Sequence, residues 1–277
     1  MDDIDYFLKE DLDDIGDITS DALLEDEKAE GVIIAKEPCV VAGVEEARKV
    51  FEKTGANMEI IIEDGIKIRR NTIIAVVSGS AKSILKGERL ALNFLGRMSG
   101  IATMTRRFVD ICIKVNSNAS IAATRKTTPG FRRYEKKAVI LGGGEPHRMG
   151  LYDAILIKDN HIKCVGSVEE AIKRVKQKLS DKPIEIEVEN EEDALKAASL
   201  GVDVIMLDNI PPNEAKIIAG KIRNIDRDIK IEVSGGINFR NIHEYLPFAD
   251  RISLGCLTHS VKNIDFSFEI KKIERNI

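Results

Sequence analysis

Tryptophan is absent from this chain of 277 residues, and aromatic residues make up only 5% of it. Proteins that hold single-stranded nucleic acid stack bases on aromatic side chains, and contacts with phosphates require clustered lysine and arginine. A basic cluster does occur between Arg125 and Lys137, but the formal net charge of the chain is −4. The composition therefore argues against a nucleic-acid partner.

Long apolar runs are also absent, since no run approaches the roughly 18 residues that span a bilayer. Three of the first five residues are acidic, whereas a secretory signal is basic and then apolar. The few cysteines form no Cys-x-x-Cys group. We therefore expect a cytoplasmic protein with no membrane partner, no disulfide framework and no zinc site. We interpret all four cysteines as small buried apolar residues, namely Cys39, Cys112, Cys164 and Cys256.

The first part of the chain mixes strand and helix patterns. Strands are predicted at residues 31–35, 58–62 and 72–77, and a helix at residues 44–53. This pattern indicates an N-terminal mixed α/β sandwich domain over residues 1–100. A long helical pattern at residues 81–114, interrupted near Ser99-Gly100, is expected to connect it with the rest of the chain.

From residue 120 onward, short β-branched runs alternate with helical patterns. Six strands are predicted, at residues 121–123, 154–157, 184–188, 204–207, 231–233 and 251–254. Helix start signals occur between them at Ser167, with Glu170 three residues later, and at Asn190. The alternation is typical of βα units and predicts an incomplete or closed β/α barrel catalytic domain over residues 101–261. The segment 262–277 is expected to pack on the first domain.

Polar residues follow each of these six predicted strands. In chain order they are Arg125 with Lys126, Lys158 with Asp159, Glu187 with Glu189, Asp208 with Asn209, Ser234 with Gly235 and Gly236, and Gly255. The loops after the strands of a β/α barrel all open on the face that carries the active site. The topology therefore predicts that these groups converge.

Five basic residues from Arg125 to Lys158 predict a site for a small polyanion. They are Arg125, Lys126, His147, Arg148 and Lys158. Arginine binds a carboxylate through two parallel hydrogen bonds, and lysine acts as a point charge. We expect a ligand with more than one carboxylate.

The acidic residues and the glycines predict a second ligand. Glu187 and Asp208 suit hydroxyl groups, or a divalent ion that carries phosphates. The backbone N–H groups of Gly235 and Gly255, next to a helix start predicted at Asn238, suit a phosphate monoester. The second ligand is therefore predicted to be a phosphorylated sugar with a metal-bridged pyrophosphate.

Several motifs of the chain resemble those of the quinolinate phosphoribosyltransferase family, also called carboxylating nicotinate-nucleotide pyrophosphorylases. They are ERLALN at residues 88–93, SGIAT at 99–103, TRKT at 124–127, GGG at 142–144 with His147-Arg148, KDNH at 158–161, LDN at 207–209, SGG at 234–236 and GCLTHS at 255–260. They occur in order between residues 11 and 265, which is nearly the whole chain.

The resemblance implies a reaction and its partners. Quinolinate and phosphoribosyl pyrophosphate give nicotinate mononucleotide, pyrophosphate and CO₂, a step of de novo NAD synthesis. Mg²⁺ is the implied cofactor and enters with phosphoribosyl pyrophosphate, with Glu187 and Asp208 near the metal, directly or through water. The implied assembly is a homodimer with a shared active site, or a hexamer, in which Arg89 enters the site of the neighbouring subunit.

The resemblance also implies individual residue roles. The catalytic residues are Lys158, Glu187 and Asp208. The substrate-binding residues are Arg89, Thr124, Arg125, Lys126, His147, Arg148, Lys158, Glu187, Asp208, Ser234, Gly235, Gly236, Leu254, Gly255 and Cys256. Among them Arg125, His147, Arg148 and Lys158 hold the two carboxylates of quinolinate, and Ser234, Gly235 and Gly255 hold the 5′-phosphate.

One residue departs from the family pattern, and two other functions remain open. Pro146 stands where an asparagine is expected, and proline removes an N–H and fixes φ, so the hydrogen bonding of this loop should differ. A paralogue associated with molybdenum transport shares the fold and several motifs. A non-catalytic anion-binding protein could use the same basic residues.

Other charged residues have simpler interpretations. The basic residues after the TRKT motif are interpreted as a solvated helix face, namely Arg132, Arg133, Lys136 and Lys137. His161 is expected to hold the loop of Lys158, and His243 to lie at the surface.

Overall fold

The computed structural model describes residues 3–115, 117–179 and 181–274. The chain forms two compact units. The first comprises Met1–Arg106, Ile140–Gly142 and Val261–Ile277, and the second comprises Arg107–Val139 and Gly143–Ser260. No helix of the described residues is long and apolar enough to cross a membrane.

Helices and strands alternate through most of the chain. The helices are α1 (Asp3–Leu12), α2 (Ile18–Leu23), α3 (Val44–Thr54), α4 (Ala81–Lys114), α5 (Arg132–Leu141), α6 (Asp159–Val165), α7 (Val168–Lys178), α8 (Glu191–Ser199), α9 (Pro212–Ile225), α10 (Ile242–Tyr245) and α11 (Cys256–His259). The strands are β1 (Lys28–Ala35), β2 (Cys39–Val40), β3 (Ala56–Ile60), β4 (Lys67–Ile68), β5 (Thr72–Ser80), β6 (Ser120–Ala122), β7 (Ile155–Ile157), β8 (Ile184–Val188), β9 (Val204–Asp208), β10 (Lys230–Ser234), β11 (Arg251–Ser253) and β12 (Phe266–Glu274).

The first unit contains a four-stranded antiparallel sheet in the order β12-β1-β5-β3. The strands predicted here and the helix α3 are confirmed. Strand β12 comes from the C-terminal segment and pairs with β1 along the full length of both strands. Apolar side chains such as Ile33, Phe51 and Ile74 are fully buried in this unit. Their burial stabilises the sheet, as is usual for an antiparallel sheet with one covered face.

Helix α4 is continuous over 34 residues, so the predicted interruption near Ser99-Gly100 is wrong. Ser99 exchanges hydrogen bonds with the backbone of Ala42, whose N–H lies 3.0 Å from Ser99 Oγ. A side chain at Gly100 would overlap the carbonyl of Lys262. These two small residues therefore allow close packing against the helix and do not end it.

The second unit contains a six-stranded parallel sheet in the order β6-β11-β10-β9-β8-β7. All six predicted strands are present. In the described residues β6 and β7 are the edges of the sheet, and Ala122 at one edge forms a parallel bridge with Glu145. The unit is thus the incomplete form of the predicted barrel.

The helices between these strands begin where the sequence predicts. Ser167 caps α7, since its hydroxyl accepts from the N–H of Glu170 at 3.1 Å. Asn190 caps α8, since its amide oxygen accepts from the N–H of Asp193 at 2.9 Å. Each cap satisfies a backbone N–H that has no partner within its helix.

Two sequence predictions in this unit are wrong. No helix starts at Asn238, because the residues before Ile242 form turns in which the N–H of Asn238 donates to the Asn241 side chain at 2.8 Å. Cys164 is exposed at the surface of the short helix α6, whereas Cys39 and Cys112 are buried and Cys256 is partly buried. A free cysteine is apolar enough for a core but does not require one.

Candidate active site

A cavity of about 330 Å³ opens at the C-terminal ends of the parallel strands in the second unit. Nine of the predicted site residues line it, namely Thr124, Arg125, Lys126, His147, Arg148, Lys158, Glu187, Asp208 and Ser234. Six of them belong to the polar residues that were predicted to converge at the strand ends, namely Arg125, Lys126, Lys158, Glu187, Asp208 and Ser234, whereas Asp159, Glu189 and Asn209 do not line the cavity. Their roles toward substrates stay predictions.

Six predicted residues lie outside this cavity. Gly235 and Gly236 follow β10, and Leu254, Gly255 and Cys256 follow β11, without lining the cavity walls. Gly235 has a φ of +89°, and a side chain there would overlap the Asn209 amide, so this turn requires glycine. Arg89 belongs to the first unit, and its entry into a neighbouring subunit stays a prediction.

Alternation along the buried strands determines which side chains face the cavity. In β8, Ile184, Ile186 and Val188 are buried on one face, and Glu185 and Glu187 project from the other. The same period of two holds for the strands that follow. It places Met206 with Asp208 on β9, Glu232 with Ser234 on β10 and Arg251 with Ser253 on β11. The inner face of this sheet therefore carries mostly polar side chains, with Met206 as an apolar exception.

The basic half of the cavity brings two guanidinium groups together. Arg148 is only 8% exposed. Burial lowers the pKa of Arg148, and the nearby charge of Arg125 lowers it further. The Nε of Arg125 is buried and has no hydrogen-bond partner in the part of the chain that the structure describes. A buried and a half-buried cation that repel each other form a site that an anion with two charged groups would stabilise.

The loop that carries Arg125 is held in a tight turn. The hydroxyl of Thr124 accepts from the N–H of Lys126 at 3.1 Å, and the N–H of Thr127 donates to the carbonyl of Arg125 at 2.9 Å. From the other side, the buried Thr258 donates its hydroxyl to the carbonyl of Lys126 at 2.8 Å. The backbone around the cationic side chains is thus fixed by its own short polar residues.

The acidic half of the cavity contains Glu187 and Asp208. Glu187 Oε2 forms an ion pair with Lys158 Nζ, and Asp208 Oδ2 accepts from the side-chain amide of Asn209 at 2.7 Å. His161 Nδ1 accepts from the backbone N–H of Lys158 at 2.9 Å, so His161 holds this loop as predicted.

The donor set fits a magnesium ion that arrives with phosphates. Carboxylate oxygens are ligands that Mg²⁺ prefers, but two carboxylates are too few for its octahedral shell without water and substrate oxygens. Both Glu187 and Asp208 already have a partner within the chain. These two residues would therefore take a metal–phosphate complex and not a permanently bound ion.

A buried charged network lies beside the basic half. His147 Nε2 lies 3.2 Å from Glu185 Oε2 and 3.7 Å from Glu232 Oε2. Arg251 Nη1 lies 2.9 Å from Glu232 Oε2, and Ser253 donates its hydroxyl to the same carboxylate. His147, Glu185 and Glu232 have the ligand types of a metal site. Arg251 already supplies the compensating cation, and we interpret the group as an ion network.

The negative charges around His147 raise its pKa. Burial acts to lower it, but hydrogen bonding to Glu185 and Glu232 and their negative charge outweigh burial and raise the pKa to about 9. The other ring nitrogen, Nδ1, accepts from the N–H of Arg148 at 2.8 Å. Both nitrogens therefore face protein groups, and a direct contact of His147 with a substrate carboxylate stays a prediction.

Four residues of this network were not predicted, although the sequence contains a signal for them: Glu185, Glu232, Arg251 and Ser253. In the runs IEIEV, IEVS and RIS, a charged or hydroxyl side chain alternates with a buried aliphatic one. A strand buried in a parallel sheet is expected to be apolar on both faces. Polar residues on one face of such strands indicate an interior ion network.

The interpretation of residues 132–137 as a solvated helix face is wrong for Lys136. Its side chain is 1% exposed, and its Nζ donates to the carbonyls of Pro146 and Arg148. Pro146, the departure from the family pattern, therefore still takes part in the hydrogen bonding of its loop. Arg133 is exposed, as interpreted, whereas Arg132 and Lys137 are half-buried.

Two family models match the chain. The model of the N-terminal domain of quinolinate phosphoribosyl transferase matches residues 17–99, and that of the C-terminal domain matches residues 101–269. The chain belongs to the quinolinate phosphoribosyl transferase family. Relatives and solved structures agree with this membership.

Curated relatives of this family span nearly the whole chain. A protein of Methanocaldococcus jannaschii named probable nicotinate-nucleotide pyrophosphorylase [carboxylating] is 44% identical over 94% of this chain and 93% of its own length. A Bacillus subtilis protein of the same name is 41% identical over 96% of this chain and 92% of its own. Among solved structures, nicotinate-nucleotide pyrophosphorylase from Ehrlichia chaffeensis has a TM-score of 0.92 and 39% identity, with 97% of both chains covered.

Proposed function

We propose that this protein is a carboxylating nicotinate-nucleotide pyrophosphorylase, which transfers phosphoribosyl from phosphoribosyl pyrophosphate to quinolinate with loss of CO₂. The family and the names of its relatives support the activity. The single structural observation that carries it is the division of one cavity into a side with Arg125 and Arg148 and a side with Glu187 and Asp208. The relatives' names do not favour the alternative of a molybdenum-transport paralogue.

The basic side suits quinolinate. Its two carboxylates would neutralise the two guanidinium groups that repel each other when the cavity holds no anion, and each group could form two parallel hydrogen bonds. Lys158, paired with Glu187 in this structure, would bring a third positive charge to the edge of the ring. This orients the pyridine nitrogen toward the acidic side.

The acidic side suits the ribose. Departure of pyrophosphate leaves an oxocarbenium-like carbon, and the carboxylates of Glu187 and Asp208 would stabilise its positive charge. Magnesium, bound to phosphoribosyl pyrophosphate, would neutralise charge that develops on the leaving group. Attack by the pyridine nitrogen needs no nucleophile from the protein.

Decarboxylation follows from the charge on the ring. Once the nitrogen is glycosylated and positive, the carbon–carboxylate bond next to it breaks, CO₂ leaves, and the electron pair stays on the ring carbon until a proton is taken up. The positive nitrogen stabilises that pair. The protein mainly orients the ring and excludes water.

The direct assay follows release of both pyrophosphate and CO₂ from quinolinate, phosphoribosyl pyrophosphate and Mg²⁺. We expect both products in equal amounts and only with all three components. Turnover of nicotinate in place of quinolinate would show that the site for the second carboxylate is assigned wrongly. Quinolinate bound without any turnover would instead indicate an anion-binding protein.

Substitution of either cationic residue tests the residue roles. Arg125→Ala and Lys158→Ala should each lower kcat/KM for quinolinate by at least about a hundredfold, because each removes a charged contact worth roughly 3 kcal/mol. Steady-state kinetics on folded variants measure this effect. Lys216→Ala, at an exposed position of α9, is the control and should retain wild-type kinetics. Variants of Arg125 and Lys158 with unchanged kinetics would remove them from the site.

We further propose that the protein acts as a homodimer in which Arg89 completes the site of the neighbouring subunit. The resemblance of the segment 88–93 to the family motif supports this assignment. Arg89 of a neighbouring subunit would add a further positive charge to the basic half that contains Arg125 and Arg148.

A further inference from the structure

Helix α5 directs three polar side chains, those of Arg132, Glu135 and Lys136, toward two loops of the cavity. The first cationic loop, residues 124–128, carries Arg125. The second cationic loop, residues 146–149, carries Arg148. These loops are separated in sequence, and they lie on opposite sides of α5 along the chain. The contacts of α5 join them.

Glu135 anchors the first cationic loop. Its side chain is fully buried. One carboxylate oxygen accepts from the backbone N–H of Thr128 at 3.1 Å, and the other accepts from the hydroxyl of Thr128 at 2.9 Å. A buried carboxylate is costly unless it is hydrogen-bonded, so this pair of contacts holds the end of the loop at a fixed distance from the helix.

Lys136 anchors the second cationic loop. Its ammonium group is buried and donates to the carbonyls of Pro146 and Arg148, which flank His147 on both sides. Burial, with the charges of Arg132, Arg125 and Arg148, lowers its pKa to about 8, against the opposing charge of Asp153. An apolar residue would fill this position at lower cost in desolvation. The lysine is therefore better explained by what it holds than by packing.

Arg132 connects the two loops to each other. Its Nε donates to the hydroxyl of Thr127 at 2.9 Å, and its Nη1 donates to the carbonyl of Met149 at 3.0 Å. One guanidinium group thus bridges the first and the second cationic loop. The planar fork of arginine fixes both contacts in a single geometry.

We propose that α5 is a positioning element for the dicarboxylate half of the cavity, with Arg132, Glu135 and Lys136 as positioning residues that act through Arg125 and Arg148. The inference rests on the proposed function. Arg125 and Arg148 repel each other, so loops without these anchors would move apart when no anion is bound. Because α5 holds the two loops in place before binding, less of the binding free energy of a dicarboxylate is spent on ordering them.

The test compares Lys136→Met and Glu135→Gln with the wild-type protein in steady-state kinetics in which each substrate is varied separately. We expect the KM for quinolinate to rise about tenfold in each variant, because each substitution removes hydrogen bonds that involve a charged group. The KM for phosphoribosyl pyrophosphate should change by less than about twofold, because Glu187 pairs with Lys158 and Asp208 with Asn209, and neither partner belongs to α5. Lys216→Met on α9 is the matched control for charge removal and should change neither constant.

The outcomes separate this inference from the proposed function. A wild-type protein without turnover of quinolinate would overturn both. An active wild-type protein whose variants lose kcat while the KM for quinolinate stays unchanged would make α5 a structural support only and overturn the inference. Arg132→Gln, at a half-buried position, gives the same test if the two buried variants fail to fold. Restoration of the quinolinate KM in Lys136→Arg would support positioning, since arginine can still donate to both carbonyls.

Discussion

His147 has contacts that favour opposite protonation states of its ring. The N–H of Arg148 points at Nδ1, which accepts only when that nitrogen carries no proton. On the other side Glu185 and Glu232 face Nε2, and their charges favour the imidazolium. Interactions between ions in a buried setting are stronger than a hydrogen bond between neutral groups. We therefore expect the charged ring, with the contact to Arg148 opened.

This charge predicts a pH dependence of stability. The pKa of His147 in the folded protein is about 9, above its usual value of 6.5, so the folded state holds the proton more tightly than the unfolded chain. The stabilisation is fully present below pH 6.5 and is lost as the pH rises to about 9. The unfolding free energy of the wild type relative to His147→Gln should fall by about 3 kcal/mol across this range in urea titrations.

Two further measurements on His147 check the cause. In a Glu232→Gln background the decline with pH should be smaller, because one of the two facing carboxylates has lost its charge. A difference between wild type and His147→Gln that stays constant from pH 6 to pH 10 would contradict the assignment of an imidazolium and favour the neutral ring bonded to Arg148.

At the scale of elements, the caps that begin helices and the alternation of polar and apolar residues along strands are local properties of the sequence. The caps at Ser167 and Asn190 form because each side chain reaches an N–H only three residues ahead. The polar inner face of β8 follows from a period of two within five residues. Helix α5 differs, because the loops that its side chains contact lie as far as 17 residues away in sequence.

The cap of α7 leads to a quantitative expectation. Ser167→Ala should lower the free energy of unfolding by about 1 kcal/mol, because the N–H of Glu170 loses its acceptor. Urea unfolding of the two proteins under the same conditions measures the difference. Ser167→Asp keeps a side-chain acceptor and should lie close to the wild type; an equal loss in both variants would show that the cap is not the cause.

At the scale of the whole molecule, Arg89 of the first unit carries the prediction of a shared site. The family resemblance assigns this residue to the site of a neighbouring subunit. A subunit-exchange experiment tests this arrangement, because it shows whether a residue acts in the site of its own subunit or in that of its neighbour.

Inactive Arg89→Ala protein mixed with inactive Lys158→Ala protein should regain activity when subunits exchange. A mixed dimer has one site without either substitution, so random exchange of a dimer should restore about a quarter of the wild-type activity. A mixture of Lys158→Ala with Glu187→Ala is the control and should stay inactive, because both residues line the same cavity of one chain. No recovery despite verified exchange would place Arg89 in the site of its own subunit.

The sequence alone determined the strands of the second unit, the polar strand ends and the motifs of the family. These features depend on local periodicity and on topology, and loops after parallel strands must open on one face. Six of the polar residues predicted at the strand ends line one cavity for this reason.

Only the tertiary structure decided which charged residues are buried. Lys136 and Arg133 lie in the same basic run, yet Lys136 is buried beneath the second cationic loop and Arg133 is exposed. Likewise, Ser99-Gly100 has the composition of a helix break, but close contacts with Ala42 and Lys262 keep α4 continuous. In each case the burial of the side chain or the continuity of the helix depends on residues that are distant in the sequence. Local periodicity does not identify those residues.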